Sequence, residues 1–378
     1  MDMGQKNKNT LFCIFVIGLL LVPVSGLFFQ QDKKMAEQER RVLAEMPALP
    51  NSWQDVARFS AAFLRFFNDN FAFRRQLIAW RSASKVLALG VSSHPDVVLG
   101  KEGWLYYDAE QQLADYRGLH PLTDTDLLKT VRALENRVEL LDQVKIPYLL
   151  VLVPSKHTIY PEYLPDRFAR VKAKTRLDQI VEALKVSGRV PFIDLRDSLQ
   201  GAKSTGLLYF KADTHWNQRG AFQGYREVMK AARQWLPTVP ILDINAVRYD
   251  IGPLREYDLA NFLVLNWYFR EKMPLVSVLS HKGARDTEFD PLLQGMIDNS
   301  QPPERQPFGY SNPEGEGRVV VFRDSFGSDM VPYLGESFKE SLYIWNKMSP
   351  NLLLPILRGG FWPDLVIEEV LERLADFD

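Results

Sequence analysis

Two short stretches carry residue types suited to nucleophilic acyl chemistry. In Asp213-Thr214-His215-Trp216 a carboxylate and an imidazole stand two residues apart, and in an extended segment they project to one side. Asp213 can then accept a hydrogen bond from His215 Nδ1–H and leave Nε2 free to take a proton. In Arg323-Asp324-Ser325-Phe326-Gly327 a serine follows the apolar run Arg318 to Phe322 and precedes a helix-like segment. Open α/β sheets bind ligands at the carboxyl ends of their strands, and the first N–H groups of a helix can meet an oxyanion. Each stretch has a plainer reading: Asp-Ser ahead of a helix is also an ordinary N-cap, and a histidine in a polar turn can simply be solvated. Together they supply a nucleophile, a base and a group that orients the base. The chain order Asp213, His215, Ser325 is no obstacle, because such triads occur in several orders. Trp216 and Arg323 beside them, and Lys156 at another strand end, are candidates for substrate contact. Lys156 and His157 also fit the role of solvated strand-end residues.

These residues need a sheet to bring them together. Leu127, Leu128, Val131, Leu134, Val138 and Leu141 form one helical face after Thr123, and Pro147 ends it. Tyr148 to Val153 is continuously apolar, the pattern of a strand covered on both faces. A helix over Thr175 to Val186 leads to a strand over Arg189 to Leu195. Leu207 to Phe210 reads as a short strand before the Asp-Thr-His-Trp stretch, which a helix from Gln218 to Trp235 follows. Arg318 to Phe322, Ser341 to Trp345 and Asp364 to Ile367 complete the strands, the last leading into a helix-like Glu368 to Phe377. This alternation predicts an α/β fold with a mostly parallel sheet. Residues 240–317, rich in proline and glycine, break the rhythm and read as an insertion or lid near the site. Farther upstream, Phe59, Phe63, Phe66, Phe67 and Phe71 recur at helical spacing, as expected of aromatic packing. The tryptophans and tyrosines Trp104, Tyr106, Trp267 and Tyr268 suit core or rim packing, with stacking on sugar rings as the alternative.

The chain has 378 residues, 46% of them hydrophobic and 25% charged, a composition that builds a core and excludes wholesale disorder. With 46 basic against 47 acidic residues the net charge is -1, so no bulk attraction to nucleic acid is implied. Lys6 and Lys8 precede an uncharged apolar run from Leu11 to Phe29, close to the roughly 20 residues that cross a bilayer. It predicts an uncleaved membrane anchor, although Val24-Ser25-Gly26 is a cleavage-like arrangement. Either way the body of the protein is expected outside the cytoplasmic membrane. The single cysteine, Cys13, lies in this run, which excludes intrachain disulfides and a cysteine nucleophile. No ligand spacing or phosphate loop is present, so neither a metal nor any other cofactor is expected. The expected organisation is an export segment over 1–30, a helical lead-in over 31–122 and a catalytic domain over 123–378.

The sequence resembles the alginate O-acetyltransferase family of AlgJ and AlgX type, whose catalytic domain is related to SGNH hydrolases. The resemblance runs through Asp69-Asn70-Phe71 with Arg74, Gly103-Trp104-Leu105-Tyr106, and Val153-Pro154-Ser155-Lys156 with Tyr160-Pro161. It continues through Asp213-Thr214-His215-Trp216, Asp324-Ser325-Phe326 and Pro363-Asp364-Leu365-Val366. It implies an SGNH-hydrolase-like three-layer α/β/α sandwich and a triad of Asp213, His215 and Ser325. It also implies a periplasmic, often anchored enzyme that acetylates an exopolysaccharide, with acetyl supplied by a membrane-bound O-acyltransferase. The same triad would serve a carbohydrate acetylesterase, and a non-catalytic scaffold of polysaccharide assembly is the reading from another class. Arg323 stands where the wider hydrolase group commonly has a small residue, which puts the oxyanion geometry in question. The chain ends soon after Glu368-Glu369, so polymer binding is expected to use the catalytic domain or a partner rather than a separate carbohydrate-binding module.

Overall fold

A computed structural model describes residues 10–18, 43–279 and 281–375. They divide into two compact units, one running up to His94 and including Ala260–Tyr268, the other made of Pro95–Leu259 with Phe269 onward. Within the apolar run, described residues up to 18 are helical, and the remainder of the expected anchor lies outside the described residues. Among the described residues no helix is long and apolar enough to cross a membrane.

In the first unit the phenylalanine spacing does produce a helix, α1 (Val56–Asn70), followed by α2 (Arg74–Ala83). The rings meet in sequence along it, Phe59 to Phe63 at 5.8 Å and Phe67 to Phe71 at 6.0 Å between centroids. Asp69 is buried and accepts the Ala44 N–H at 2.8 Å, while the Asn70 amide donates to the Ala44 carbonyl at 3.1 Å. These two polar residues thus tie the incoming chain to the end of α1.

The second unit opens with a small antiparallel pair, β1 (Val97–Leu99) and β2 (Leu105–Tyr107). This unit therefore begins at Pro95 and takes in part of the expected lead-in. Then come α3 (Asp124–Asp142), whose cap Thr123 accepts the Asp126 N–H, and β3 (Tyr148–Val153). Thr175 and Asp178 form a reciprocal capping box on α4 (Arg176–Ser187), and Gly188, at φ 64°, ends it. The chain continues through β4 (Phe192–Asp194), α5 (Gln218–Ala232), β5 (Val247–Leu254), β6 (Lys272–Val278), β7 (Ala284–Asp286) and β8 (Phe308–Ser311). It closes with β9 (Arg318–Arg323), α6 (Ser325–Ser328), β10 (Glu340–Trp345), α7 (Pro350–Arg358) and β11 (Leu365–Leu371).

Seven strands form the central sheet in the order β4-β3-β11-β9-β10-β8-β7. The first five are parallel, and β8 and β7 add an antiparallel edge. Alternate residues serve opposite cores: Leu149, Val151 and Val153 pack with α5 residues such as Phe222 and Tyr225, whereas Tyr148, Leu150 and Leu152 pack with residues of α3, α4 and α7. This is the expected three-layer α/β/α sandwich. β9, β11 and β3 all end on the same edge, which carries Ser325, Glu372 and Ser155 just beyond them.

Four expectations need correction. Leu207 to Phe210 forms no strand; its pairing is a single bridge from Tyr209 to Trp216, because the segment folds back on itself. The strand expected over Arg189 to Leu195 contracts to Phe192–Asp194. Glu368 and Glu369 belong to strand β11, not to a helix, and a short turn Glu372–Leu374 follows. Two adjacent carboxylates hide the strand pattern, yet Glu368 is satisfied inside by Arg137 at 3.0 Å, the Tyr148 hydroxyl at 2.5 Å and the Met348 N–H at 2.9 Å. Finally, residues 240–317 are built structure and not a simple lid: they hold the antiparallel pair β5–β6 and extend the main sheet through β7 and β8.

Candidate active site

Trp216 and Asn217 anchor the loop that carries Asp213 and His215. The Asn217 N–H returns to the Leu208 carbonyl at 2.8 Å, and its side chain caps α5 by accepting from Arg219 N–H and Gly220 N–H. A Cβ on Gly220 would fall 2.3 Å from the Leu208 carbonyl oxygen, so glycine is needed for this closure. Inside the loop sits the buried Lys156 ammonium, which donates to the carbonyls of Phe210, Lys211 and Asp213 at 3.1, 3.0 and 2.6 Å. The Glu271 carboxylate takes the Ala212 N–H at 2.9 Å. So braced, Asp213 Oδ1 lies 2.6 Å from His215 Nδ1 and 3.0 Å from the His215 N–H. That bond occupies Nδ1 and leaves Nε2 to face a hydroxyl.

Ser325 is the first residue of α6, at the end of β9. Asp324 caps that helix, its Oδ1 accepting the Phe326 N–H at 2.8 Å and its Oδ2 the Leu371 N–H at 3.1 Å. The capping reading thus belongs to Asp324, with Ser325 left partly exposed. Buried Glu369 accepts the N–H groups of Asp324 and Gly327, each at 3.0 Å. A Cβ on Gly327 would stand 2.6 Å from Arg323 Cβ and 2.7 Å from Glu369 Oε2, which accounts for that glycine. The N–H groups of Phe326 and Gly327 are therefore spent on carboxylates and are not available to an oxyanion. Among the first three N–H groups of the turn, that of Ser325 is given to neither. The two candidate stretches meet at Phe326: its ring lies 4.9 Å from the His215 ring and 5.4 Å from that of Trp216, whose indole N–H donates to the Phe326 carbonyl at 3.1 Å.

Lys156, Trp216 and Arg323, the candidates for substrate contact, are all buried. Lys156 and Trp216 hold the two candidate segments by the bonds above. Arg323 donates to the Ser328 hydroxyl at 2.6 Å and to the Glu304 carbonyl at 3.3 Å. Trp104 and Tyr106 are buried with ring centroids 5.7 and 5.2 Å from the Lys156 ammonium, whereas Trp267 and Tyr268 in the first unit are exposed.

Asp258, which the sequence reading missed, reaches the same loop. Its two oxygens accept the Thr214 N–H at 2.9 Å and the Thr214 hydroxyl at 2.5 Å, and its own N–H donates to Asp213 Oδ2 at 3.1 Å. An aspartate 45 residues from Asp213, in a segment without a recognisable motif, gives a sequence reader no signal. Asp213, His215 and Asp258 offer ligand atoms within 4.8 Å of one another, a geometry a divalent cation could use. Yet every one of these carboxylate oxygens already accepts a hydrogen bond, and His215 Nδ1 is held by Asp213. The arrangement suits proton handling better than metal binding.

Residues 97–303 match the family model described as the SGNH hydrolase-like domain of the acetyltransferase AlgX. The chain belongs to that family. Among curated relatives, the probable alginate O-acetylase AlgJ of Pseudomonas aeruginosa is 27% identical over 268 residues, which cover 64% of this chain and 62% of that protein. AlgJ of Azotobacter vinelandii, likewise named a probable alginate O-acetylase, is 23% identical over 285 residues, 73% of this chain and 70% of that one. The solved structure of Bacillus cereus PatB1 with a sulfonyl adduct shares the fold with a TM-score of 0.52 at 17% identity, over 74% of this chain and 94% of that one.

In this AlgX-family site opposite charges support one another and like charges compete. Burial alone would raise the Asp213 carboxyl, but the hydrogen bonds and charge of His215 hold it well below the usual range. Burial works against a charged His215, and the Asp213 bond with the charges of Asp213, Asp258 and Asp329 more than reverses this, raising the imidazole. Asp258 is raised by burial and by the neighbouring Asp213 charge. Loss of solvation pushes Asp329, half-buried near His215, up to about 6. Burial lowers Lys156 to about 8 against the pull of Asp258, Asp213 and Glu271. Beside the site, Thr214 and Phe326 line a depression shared with Gln112, Ser155, His157 and Arg373. Those four also line the next cavity, of about 190 Å³. It shares Tyr116, Thr175 and Glu372 with a third, of about 250 Å³.

Proposed function

We propose that this chain is a serine-dependent O-acetyltransferase acting on an alginate-like exopolysaccharide, with Asp213, His215 and Ser325 as its catalytic residues. The observation that carries the reading is the His215 ring, fixed at Nδ1 by Asp213 and packed on the residue that follows Ser325. The acetyl group and the polymer rest on the family and on the names of its AlgJ relatives. Ser325 Oγ attacks the carbonyl carbon of an activated acetyl ester while His215 Nε2 takes its proton, and the leaving group departs with that proton. A sugar hydroxyl then gives its proton to His215 and attacks the acetyl-serine, and the proton returns to Ser325. Asp213 holds the tautomer and stabilises the imidazolium in both steps. The row of cavities along the carboxyl edge suits an acceptor that is a chain rather than a single sugar. A membrane-bound O-acyltransferase as acetyl supplier, and a location outside the cytoplasmic membrane with anchoring through residues 1–30, complete the proposal.

Mass spectrometry of the chain incubated with an activated acetyl ester, with and without deacetylated oligosaccharides, tests it. An adduct on Ser325 that passes to sugar, and is absent from Ser325→Ala, is expected. Loss of the adduct to water alone, with sugar present, would replace the transferase by an esterase. Wild-type polymer acetylation in cells carrying Ser325→Ala would end the proposal.

A further inference from the structure

Glu271 holds the start of the loop at Ala212, and two further carboxylates lie at the His215 ring, of which only Asp213 has a place in the reaction described so far. Asp258 spends both oxygens on Thr214 and its N–H on Asp213 Oδ2. The Thr214 oxygen in turn stands 3.1 Å from His215 Nδ1, and Asp258 Oδ2 itself lies 3.8 Å from that nitrogen. We infer that Asp258 is a positioning residue for acyl transfer, a second carboxylate that keeps His215 in its working tautomer through the Thr214 hydroxyl and steadies Asp213 through its own N–H. The inference rests on the proposed function for its catalytic meaning, though not for its geometry.

A hydroxyl has one hydrogen to give. Asp258 takes the one on Thr214, so the Thr214 oxygen faces His215 as an acceptor and agrees with a proton on Nδ1. With Asp258 removed, that hydroxyl is free to turn and donate to Nδ1. Such a bond favours the tautomer with its proton on Nε2, which cannot accept the serine proton. A negative charge 3.8 Å from Nδ1 also favours the imidazolium formed as Ser325 attacks. Other charged groups act on the same ring and remain in any variant of Asp258: Asp213 on the loop itself and Asp329 beyond α6. Asp258 in turn faces Asp213, His215 and the Lys156 ammonium.

The test is an NMR titration of the His215 imidazole in the full chain, wild type against Asp258→Asn, which needs no turnover. The His215 midpoint is expected to fall by on the order of one pH unit in the variant, and the half-maximal pH of acetyl-Ser325 formation to fall with it. A folded Asp258→Asn with an unmoved midpoint, or one that acylates more slowly at every pH along an unshifted profile, overturns the inference. If Asp258→Asn does not fold, Thr214→Val and Thr214→Ser decide: acylation lost in the first and restored in the second supports the hydroxyl relay, and wild-type acylation in Thr214→Val refutes it. A shifted His215 midpoint in a protein that never acetylates sugar leaves the positioning role intact and removes the proposed function.

Discussion

Lys156 shows how a single buried cation can brace a site through its backbone. Its ammonium meets three carbonyls of the Asp213 loop, and the bonds to Phe210 and Asp213 are buried. Lys156→Met keeps much of the side-chain volume and removes all three donors, so a loss of about 3 kcal/mol in urea unfolding is expected. Acetyl-serine formation should fall with it, because Asp213 no longer holds His215 in place. A loss below about 1 kcal/mol would mean that the loop closes without Lys156. The Asp213–His215 pair sets its own pH window. His215 is raised in the fold, so its contribution is complete below its ordinary value of about 6.5 and is lost as pH rises through the raised one. Asp213 is lowered, so its contribution is complete above about 3.9 and is lost as pH falls through the lowered one. The stability difference between wild type and His215→Ala, followed by urea unfolding, should therefore be largest between about pH 4 and 6.5 and shrink on either side. A difference that stays unchanged as pH falls below about 4 or rises above about 6.5 would contradict the ion pair.

At the scale of elements, β11 clamps the nucleophile turn. Glu369 takes two N–H groups from the residues around Ser325, and burial, with the neighbouring Asp324 charge, raises its carboxyl well above the ordinary range. Glutamine keeps an acceptor for both N–H groups without a charge, so Glu369→Gln should leave stability within about 1 kcal/mol of wild type. Glu369→Ala strands two buried donors and should cost about 2–4 kcal/mol. A raised carboxyl binds a proton more tightly in the folded state, so its contribution is full below about 4.3 and declines as pH rises through its folded value. Other raised groups such as Asp329 add the same trend, so calorimetry across pH should find a steeper decline in wild type than in Glu369→Gln. The same strand shows what a sequence can disclose. Tyr148 to Val153 and Arg318 to Phe322 were legible because strands covered on both faces are continuously apolar. β11 was legible only as far as Ile367, since Glu368 and Glu369 become strand residues through partners such as Arg137 and the turn at Ser325, which lie far away in sequence. The short edge strands β7 and β8 carry no apolar run and hid among prolines. Asp213, His215 and Ser325 stood out because each sits in a motif of matched residue types. Asp258 has no such neighbour, and only the fold brings it to Thr214.

For the molecule as a whole, the sheet places Ser325, the proposed nucleophile, at one point on an edge from which cavities lead toward β4. The depression around Thr214 and Phe326, of about 20 Å³, is too small to hold a whole sugar. The two larger cavities beyond it, joined by shared walls, make room for units of a chain. Arg176 lines the nearer of them, paired with Asp115 at 3.9 Å, a distance that leaves the guanidinium free to take a carboxylate from a ligand. For an alginate-like acceptor, whose sugars each carry a carboxylate, one carboxylate of the bound stretch would meet Arg176. Arg176→Gln should therefore raise KM for acidic oligosaccharides by about tenfold with a much smaller fall in kcat, corresponding to one charge-assisted hydrogen bond. The effect should appear only once the acceptor is long enough to reach the second cavity, and added salt should weaken it. Steady-state kinetics on a ladder of acceptor lengths measures both. An equal rise in KM for the shortest acceptor would place Arg176 beside the reacting sugar, and no rise at any length would take the acceptor off this edge altogether.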